Sequence, residues 1–361
     1  MFNILSKFLV LLSILGIIIF PTEVILQGKE AVELAFFKII PSLFPFFVLQ
    51  SLIPSLGLDI FLSNTFGIIF KKLFKISNSS PYILGIIGGY PLGFKSVCEL
   101  YLQKKISKNE AERMVCFCNN AGPAFITGFV GVFLFENKNI GYLLLLSHFL
   151  SSVILGIIFS KNAEYNINPT LQTEKNIPFN EAFINSVNSG FSSILTVCGY
   201  VIFFSVFSKI LDLFNVFKTL SYVCTPILSV FSITHDEFTS LLVGCIEMTS
   251  GLNYLKTINS SVVTKIVIAS FLLAFSGVSI HFQTLNFNPD LNLHKYYIAK
   301  LLQSIISPIL SVLIYNFVFG KTSTVFSPSF DASYNVFDPI SMYIFLAFFG
   351  INIIFAKISS K

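Results

Sequence analysis

Apolar residues run almost unbroken along most of this chain, and two of the runs are interrupted at their middles. Residues 81–103 are broken at Gly88-Gly89-Tyr90-Pro91-Leu92-Gly93, and residues 237–258 at Gly244 and at Glu247-Met248-Thr249-Ser250-Gly251. The two breaks fall at corresponding places in the two halves, the pattern that marks the midplane binding site of a secondary transporter. Other runs, such as residues 140–159 and 297–319, are continuous and long enough to span about 30 Å of hydrocarbon. The alternation of a barrel strand is missing. The pattern therefore predicts an all-α polytopic membrane protein.

Laid over each other, the halves agree unit by unit. The first has apolar runs at 34–56 and 61–75, the broken run, a run at 111–135 containing Asn119-Asn120-Ala121-Gly122-Pro123, and a run at 140–160. The second has 189–211, 216–231, the second broken run, 262–285 containing Ser276-Gly277-Val278-Ser279-Ile280-His281, and 296–319. Gly85, Gly93 and Gly122 match Gly244, Gly251 and Gly277 in order and spacing, as an internal duplication would produce. The expected organisation is an N-terminal membrane helix (1–33), a first repeat (34–160), a polar linker (161–184), a second repeat (185–319), and a C-terminal loop and membrane helix (320–361). Lys7 and the apolar stretch 8–20 look like a signal peptide, but no small-residue cleavage site follows at Phe20-Pro21-Thr22-Glu23. A retained helix is expected.

Charge placement selects the drawing of each repeat. If every segment spanned, Lys71, Lys72 and Lys75 would lie opposite Lys104, Lys105, Lys108 and Arg113, against the positive-inside rule. Laying 61–75 in the interface and letting 81–103 dip in and return as a re-entrant hairpin puts both groups on one side. Each repeat then has three spans, an odd number, so the second copy is inverted. Lys161 and Lys295 join the first basic group, while Lys138, Lys256 and Lys265 fall on the opposite side.

Composition excludes other classes. With 54% hydrophobic and 11% charged residues and a mean hydropathy of +0.80, the chain is not a soluble globule. The net charge of +5 is spread among loops, which disfavours nucleic acid as a partner. Six cysteines lie inside apolar runs with no CxxC pair and read as packing residues. No HExxH, Walker loop, GxSxG elbow or Rossmann glycine pattern is present, and four histidines are scattered. The chain is expected to be no enzyme and to need no metal or cofactor beyond a coupling proton or sodium ion.

The breaks supply the candidate chemistry. A hairpin of two half-helices exposes one helix N-terminus at its tip, which suits an anion. Gly89 and Gly93 let backbone approach a ligand, with Tyr90 beside them, and Pro91 can open the second half-helix. Lys95 would cost about 2.5–3.5 kcal/mol at a helix centre unless it meets water or a partner. It is either a counter-charge for a carboxylate or a residue that snorkels or pairs with Glu99 one turn on. Glu247, near Thr249 and Ser250, either couples transport to a proton or sodium ion, or accepts hydrogen bonds from a ligand hydroxyl, or is simply neutralised by protonation. Asn119 and Asn120 precede Gly122-Pro123, where a locally unwound helix could bind ligand or cation, or simply pack through interhelical hydrogen bonds. Ser276, Ser279, His281 and Gln283 complete the candidate substrate site, with His281 either titrating or structural. His148 has no repeat counterpart and reads as a packed polar group or a residue at the lipid interface.

These motifs, from Gly88–Lys95 through Cys118–Phe125 to Glu247–Gly251 and Ser276–Gln283, resemble those of the sporulation integral membrane protein YlbJ family, within the wider nucleoside-recognition or Gate-domain group. The resemblance covers about residues 10–355. It implies inverted repeats with interfacial helices and re-entrant hairpins, similar to concentrative nucleoside transporters. It also implies a role in endospore formation, moving the small dicarboxylate dipicolinate across the cell membrane or a membrane surrounding the forespore. A nucleoside-type carrier is an alternative, although the nucleoside-contact and sodium-site residues of those transporters have no one-to-one match here. A non-transporting scaffold for sporulation proteins is another. Partners would be the bilayer, a small anion, and either a second copy of the chain or sporulation membrane proteins.

Overall fold

A computed structural model describes residues 2–65, 68–161, 163 and 178–319. The expected C-terminal helix at 340–356 and most of the linker lie outside the described residues. Every regular element among the described residues is helical. The outer surface is strongly apolar: Ile69, Phe203, Val223 and Phe317 are each more than half exposed. Such a surface belongs in lipid, and the chain is a multi-pass membrane protein.

The N-terminal region is two helices rather than one. α1 (Phe2–Ile19) and α2 (Pro21–Leu34) meet at a bend of 104°, where Pro21 opens the second helix. A π-helical turn, Ala35–Ile39, then carries α2 into α3 (Ile40–Ser55), which has prolines inside it at Pro45 and Pro54. Two short helices follow, α4 (Leu58–Thr65) and α5 (Ile68–Phe74), over the region predicted to lie in the interface.

The first broken run is a helical hairpin of α6 (Ser80–Gly88) and α7 (Leu92–Leu102), turning at Gly89, Tyr90 and Pro91 with a cis Tyr90–Pro91 peptide. Its arms touch through glycine: a Cβ on Gly93 would stand 2.9 Å from the Gly85 Cα and 1.8 Å from the Cys118 carbonyl oxygen. Next comes a broken helix. α8 (Lys108–Cys118) stops at Asn119, and the chain restarts after Pro123 as a π-helical segment, Ala124–Leu134, before α9 (Lys138–Ser160).

The same devices recur in the second half. α10 (Phe179–Leu213) begins inside the region expected to be linker and runs 35 residues. Two short helices, α11 (Val216–Val223) and α12 (Thr225–Val230), precede the second hairpin of α13 (His235–Ile246) and α14 (Met248–Thr257). Here a Cβ on Gly251 would stand 2.2 Å from the Gly244 Cα. The second broken helix is α15 (Val262–Phe275) and α16 (Gly277–Phe287), interrupted where Ser276 and Gly277 both take positive φ. α17 (His294–Phe319) closes the described chain.

Side-chain ties locate the hairpins relative to the broken helices. At the base of the first hairpin, Ser77 donates through N and Oγ to Glu110 at the start of α8. At the base of the second, Thr234 and Glu237 form a reciprocal capping box, and Ser260, just before α15, donates to Glu237. Lys256 at the end of α14 lies 3.9 Å from Glu136, just past the far end of the first broken helix. Lys108 and Glu112 near the start of α8 hold Asp290 and the Asn292 amide, just past the far end of the second. Each broken helix therefore runs from the base of its own hairpin, past both tips, to the base of the other.

Basic residues sort accordingly. Arg113 donates to the Lys75 carbonyl at 2.7 Å, Lys75 to the Lys161 carbonyl at 3.1 Å, and Lys105 pairs with buried Asp59 at 3.2 Å. Lys265 reaches the Lys256 carbonyl at the opposite end. Among the described residues, four helices are long and apolar enough to cross a membrane, or five with the bent N-terminal pair counted as one span. Six repeat spans were expected. The difference arises because 111–135 is broken between Cys118 and Ala124, and because the π-helical turn Ala35–Ile39 divides 34–56, so that each leaves only a shorter apolar piece.

Candidate functional site

A cavity of about 340 Å³ lies where the two hairpin tips meet. Gly88, Gly89 and Tyr90 wall one side, and Glu247, Met248 and Thr249 another. Between them stand Ala121 and Gly122 at the first helix break, and Ile280 and Gln283 on α16. Close approach at this junction depends on glycine, because Gly89 has φ +87° and a Cβ there would stand 2.8 Å from the Gly122 nitrogen.

The rest of the wall is apolar and aromatic. Phe125, Phe129 and Phe133, one helical turn apart, stack with ring centroids 5.1 and 5.3 Å apart. The Lys38 ammonium lies 4.2 Å from the Phe133 centroid and 5.6 Å from that of Phe129, a cation–π arrangement. Among the described residues the wall carries one cation, Lys38, and one carboxylate, Glu247.

Glu247 is already engaged. As the N-cap of α14 it accepts from the Thr249 amide at 3.0 Å, the Ser250 amide at 2.6 Å and the Ser250 hydroxyl at 2.8 Å. The anion position that a hairpin tip offers is filled at this tip by the chain's own carboxylate. Ser250 also shares a 3.1 Å hydrogen bond with Ser205 of α10.

Of the predicted site residues, Gly89, Tyr90, Glu247, Thr249 and Gln283 line the cavity, and the other seven do not. Gly93 is consumed in closing the hairpin. Lys95 turns toward α10, donating to Ser193 at 2.9 Å and Ser189 at 3.3 Å, with Glu99 at 3.6 Å. Ser279 receives Gln283 Nε2 at 3.4 Å, and Ser276 forms the break of the second helix.

Asn119, Asn120 and His281 join a buried polar network next to the cavity. Asn119 Nδ2 donates to the Tyr296 hydroxyl at 3.1 Å, and His281 Nδ1 lies 3.2 Å from the same oxygen. Asn120 Oδ1 accepts from Gln303 at 3.1 Å, while its Nδ2 donates to the Phe117 carbonyl. His148 Nε2 accepts from the Ala121 amide, so His148 is a packed polar group, one of its two expected roles. At the centre is Lys300, 1% exposed and unremarked in the sequence reading. Tyr90 links this network to the cavity, because it lines the wall and its hydroxyl accepts from Lys300 at 2.9 Å.

Lys300 and Lys38 both lie in runs read as ordinary apolar spans. The signal for Lys300 was a polar stripe at helical spacing, Tyr296, Lys300, Gln303, Ser304, Ser307 and Ser311, all buried on one side of α17.

The chain is 27% identical over 313 residues to the sporulation integral membrane protein YlbJ of Bacillus subtilis (strain 168), covering 80% of this chain and 76% of that protein. No family model and no solved structure matches.

Proposed function

We propose that this chain, which belongs to the YlbJ family of sporulation integral membrane proteins, carries a small organic anion across a membrane during endospore formation. The observation that carries this reading is the cavity at the meeting of the two hairpin tips. Its 340 Å³ falls within the range of small-ligand sites, about 300–1,000 Å³.

Dipicolinate is the substrate that the family resemblance implies, and the wall chemistry suits it. A flat aromatic ring can lie against the Phe125–Phe129–Phe133 stack, and a carboxylate can face Lys38. The two halves act as inverted repeats of the kind found in nucleoside transporters. The support for this is that their hairpins start at opposite ends of the broken helices. Displacement of one hairpin against the rest then opens the cavity to one side at a time.

The test is uptake of labelled dipicolinate into proteoliposomes, with uridine as comparator, under proton and sodium gradients in turn. Dipicolinate is expected to enter, and Lys38→Met and Glu247→Gln each to reduce its entry at least tenfold. Folded protein that moves neither compound under either gradient, or that prefers uridine, overturns the reading.

A further inference from the structure

Lys300 Nζ donates to three oxygens: the Tyr90 hydroxyl at 2.9 Å, the Asn119 carbonyl at 2.9 Å and the Gln303 Oε1 at 2.8 Å. An ammonium has three N–H donors, so its hydrogen-bonding capacity is filled. All three acceptors are neutral, and among the described residues no carboxylate lies within 4.0 Å of this nitrogen. A buried charge without a counter-charge is costly unless dipoles replace water around it.

The dipoles come from helix ends. Asn119 is the C-cap of α8, so its carbonyl belongs to the negative end of that half-helix. The Tyr90 hydroxyl, while accepting from Lys300, donates to the Leu273 carbonyl at 2.9 Å in the last turn of α15. Both broken helices thus direct their C-terminal ends at one positive charge, one directly and one through a phenol. Half-helix C-termini and unwound carbonyls are what a discontinuous membrane helix offers a small monovalent cation.

We propose that Lys300 is a tethered resident cation: its ammonium occupies the place that an exchangeable sodium ion would take between the two helix breaks, and the junction takes up no free cation. The assignment concerns how the breaks are held together and does not depend on what the cavity carries.

The test is thermal unfolding of the full chain in detergent. The wild type is expected to melt at the same temperature in sodium chloride and in choline chloride of equal ionic strength. Lys300→Ala, which leaves three oxygens facing a gap, is expected to melt several degrees lower. Ethylammonium or sodium at millimolar levels should restore at least half of that loss, and bulky choline none of it. Stabilisation of the wild type by sodium over choline overturns the proposal, as does a Lys300→Ala variant that no small cation restores. Should that variant fail to fold, Lys300→Met decides: melting at or above the wild-type temperature shows that the oxygens need no cation and overturns the proposal, whereas melting below it supports it.

Discussion

Glu247 holds Ser250 twice, accepting from its amide at 2.6 Å and from its hydroxyl at 2.8 Å, so one carboxylate fixes the tip of the second hairpin. A side-chain N-cap is worth about 0.5–2 kcal/mol. Glu247→Ala should therefore lower the stability of the purified protein by about 1 kcal/mol and speed amide exchange at residues 248–251. Glu247→Asp should retain part of the protection. Hydrogen exchange read by mass spectrometry checks both outcomes.

The glycine contacts separate structural from cavity-facing positions. Gly85→Ala and Gly93→Ala would place a methyl 2.0 and 1.8 Å from the Cys118 carbonyl oxygen, which is backbone and cannot step aside. Each should cost at least the roughly 1–3 kcal/mol of an overpacked core, visible as lower yield and melting temperature. Gly128, on the cavity wall, has nothing within 4 Å of an added Cβ. Gly128→Leu should fold normally yet cut anion uptake at least tenfold by occupying the chamber.

Lys38 and Lys95 should differ sharply. Lys38→Met removes the cation from the cavity wall and is expected to reduce dipicolinate uptake at least tenfold. Lys95→Met breaks contacts to Ser189 and Ser193 on α10, outside the cavity, and should change uptake less than threefold. Initial uptake rates of variants reconstituted at equal density decide the matter.

Lys108 and Asp290 clamp the loop after α16 to the base of α8 at 2.8 Å. The hydrogen bond from Lys108 holds the Asp290 carboxyl below its ordinary 3.8, and the same bond holds Lys108 above its ordinary 10.5. A depressed carboxyl contributes stability above its unfolded value and loses it as pH falls further. A raised lysine contributes below its unfolded value and loses it as pH climbs. The clamp should accordingly hold between about pH 4 and pH 10 and release outside that window. Both groups are exposed, so salt weakens the pair. Protease nicking at residues 288–293 should rise below pH 4, in high salt, and at all pH values in Asp290→Asn.

The sequence disclosed the breaks because glycine and polar residues stand out inside runs that lipid would otherwise keep apolar. Gly85, Gly93, Gly244 and Gly251 were matched by spacing alone, and each pair closes one hairpin. Helical phase was the harder quantity. Lys95 lies near the tip in sequence, but it shares a face with Leu92, three residues earlier, which packs in a core with Phe47, Ile194 and Val197. That face turns to α3 and α10 and away from the cavity. Lys300 was hidden because one interior lysine barely lowers the hydropathy of a 26-residue helix, and two of its three partners come from residues some 180 to 210 positions away. The bend at Pro21 was hidden because apolar residues continue on both sides of it.

The hairpin arms are short. α6 has nine residues and α14 has ten, so at 1.5 Å per residue each reaches about 14–15 Å, half of a hydrocarbon layer of roughly 30 Å. In the carrier proposed above, neither hairpin alone would seal the protein from end to end, and the two would close it only in series, like the doors of an airlock. A lesion at one tip should therefore leave the molecule closed at the other, and leak should require damage to both.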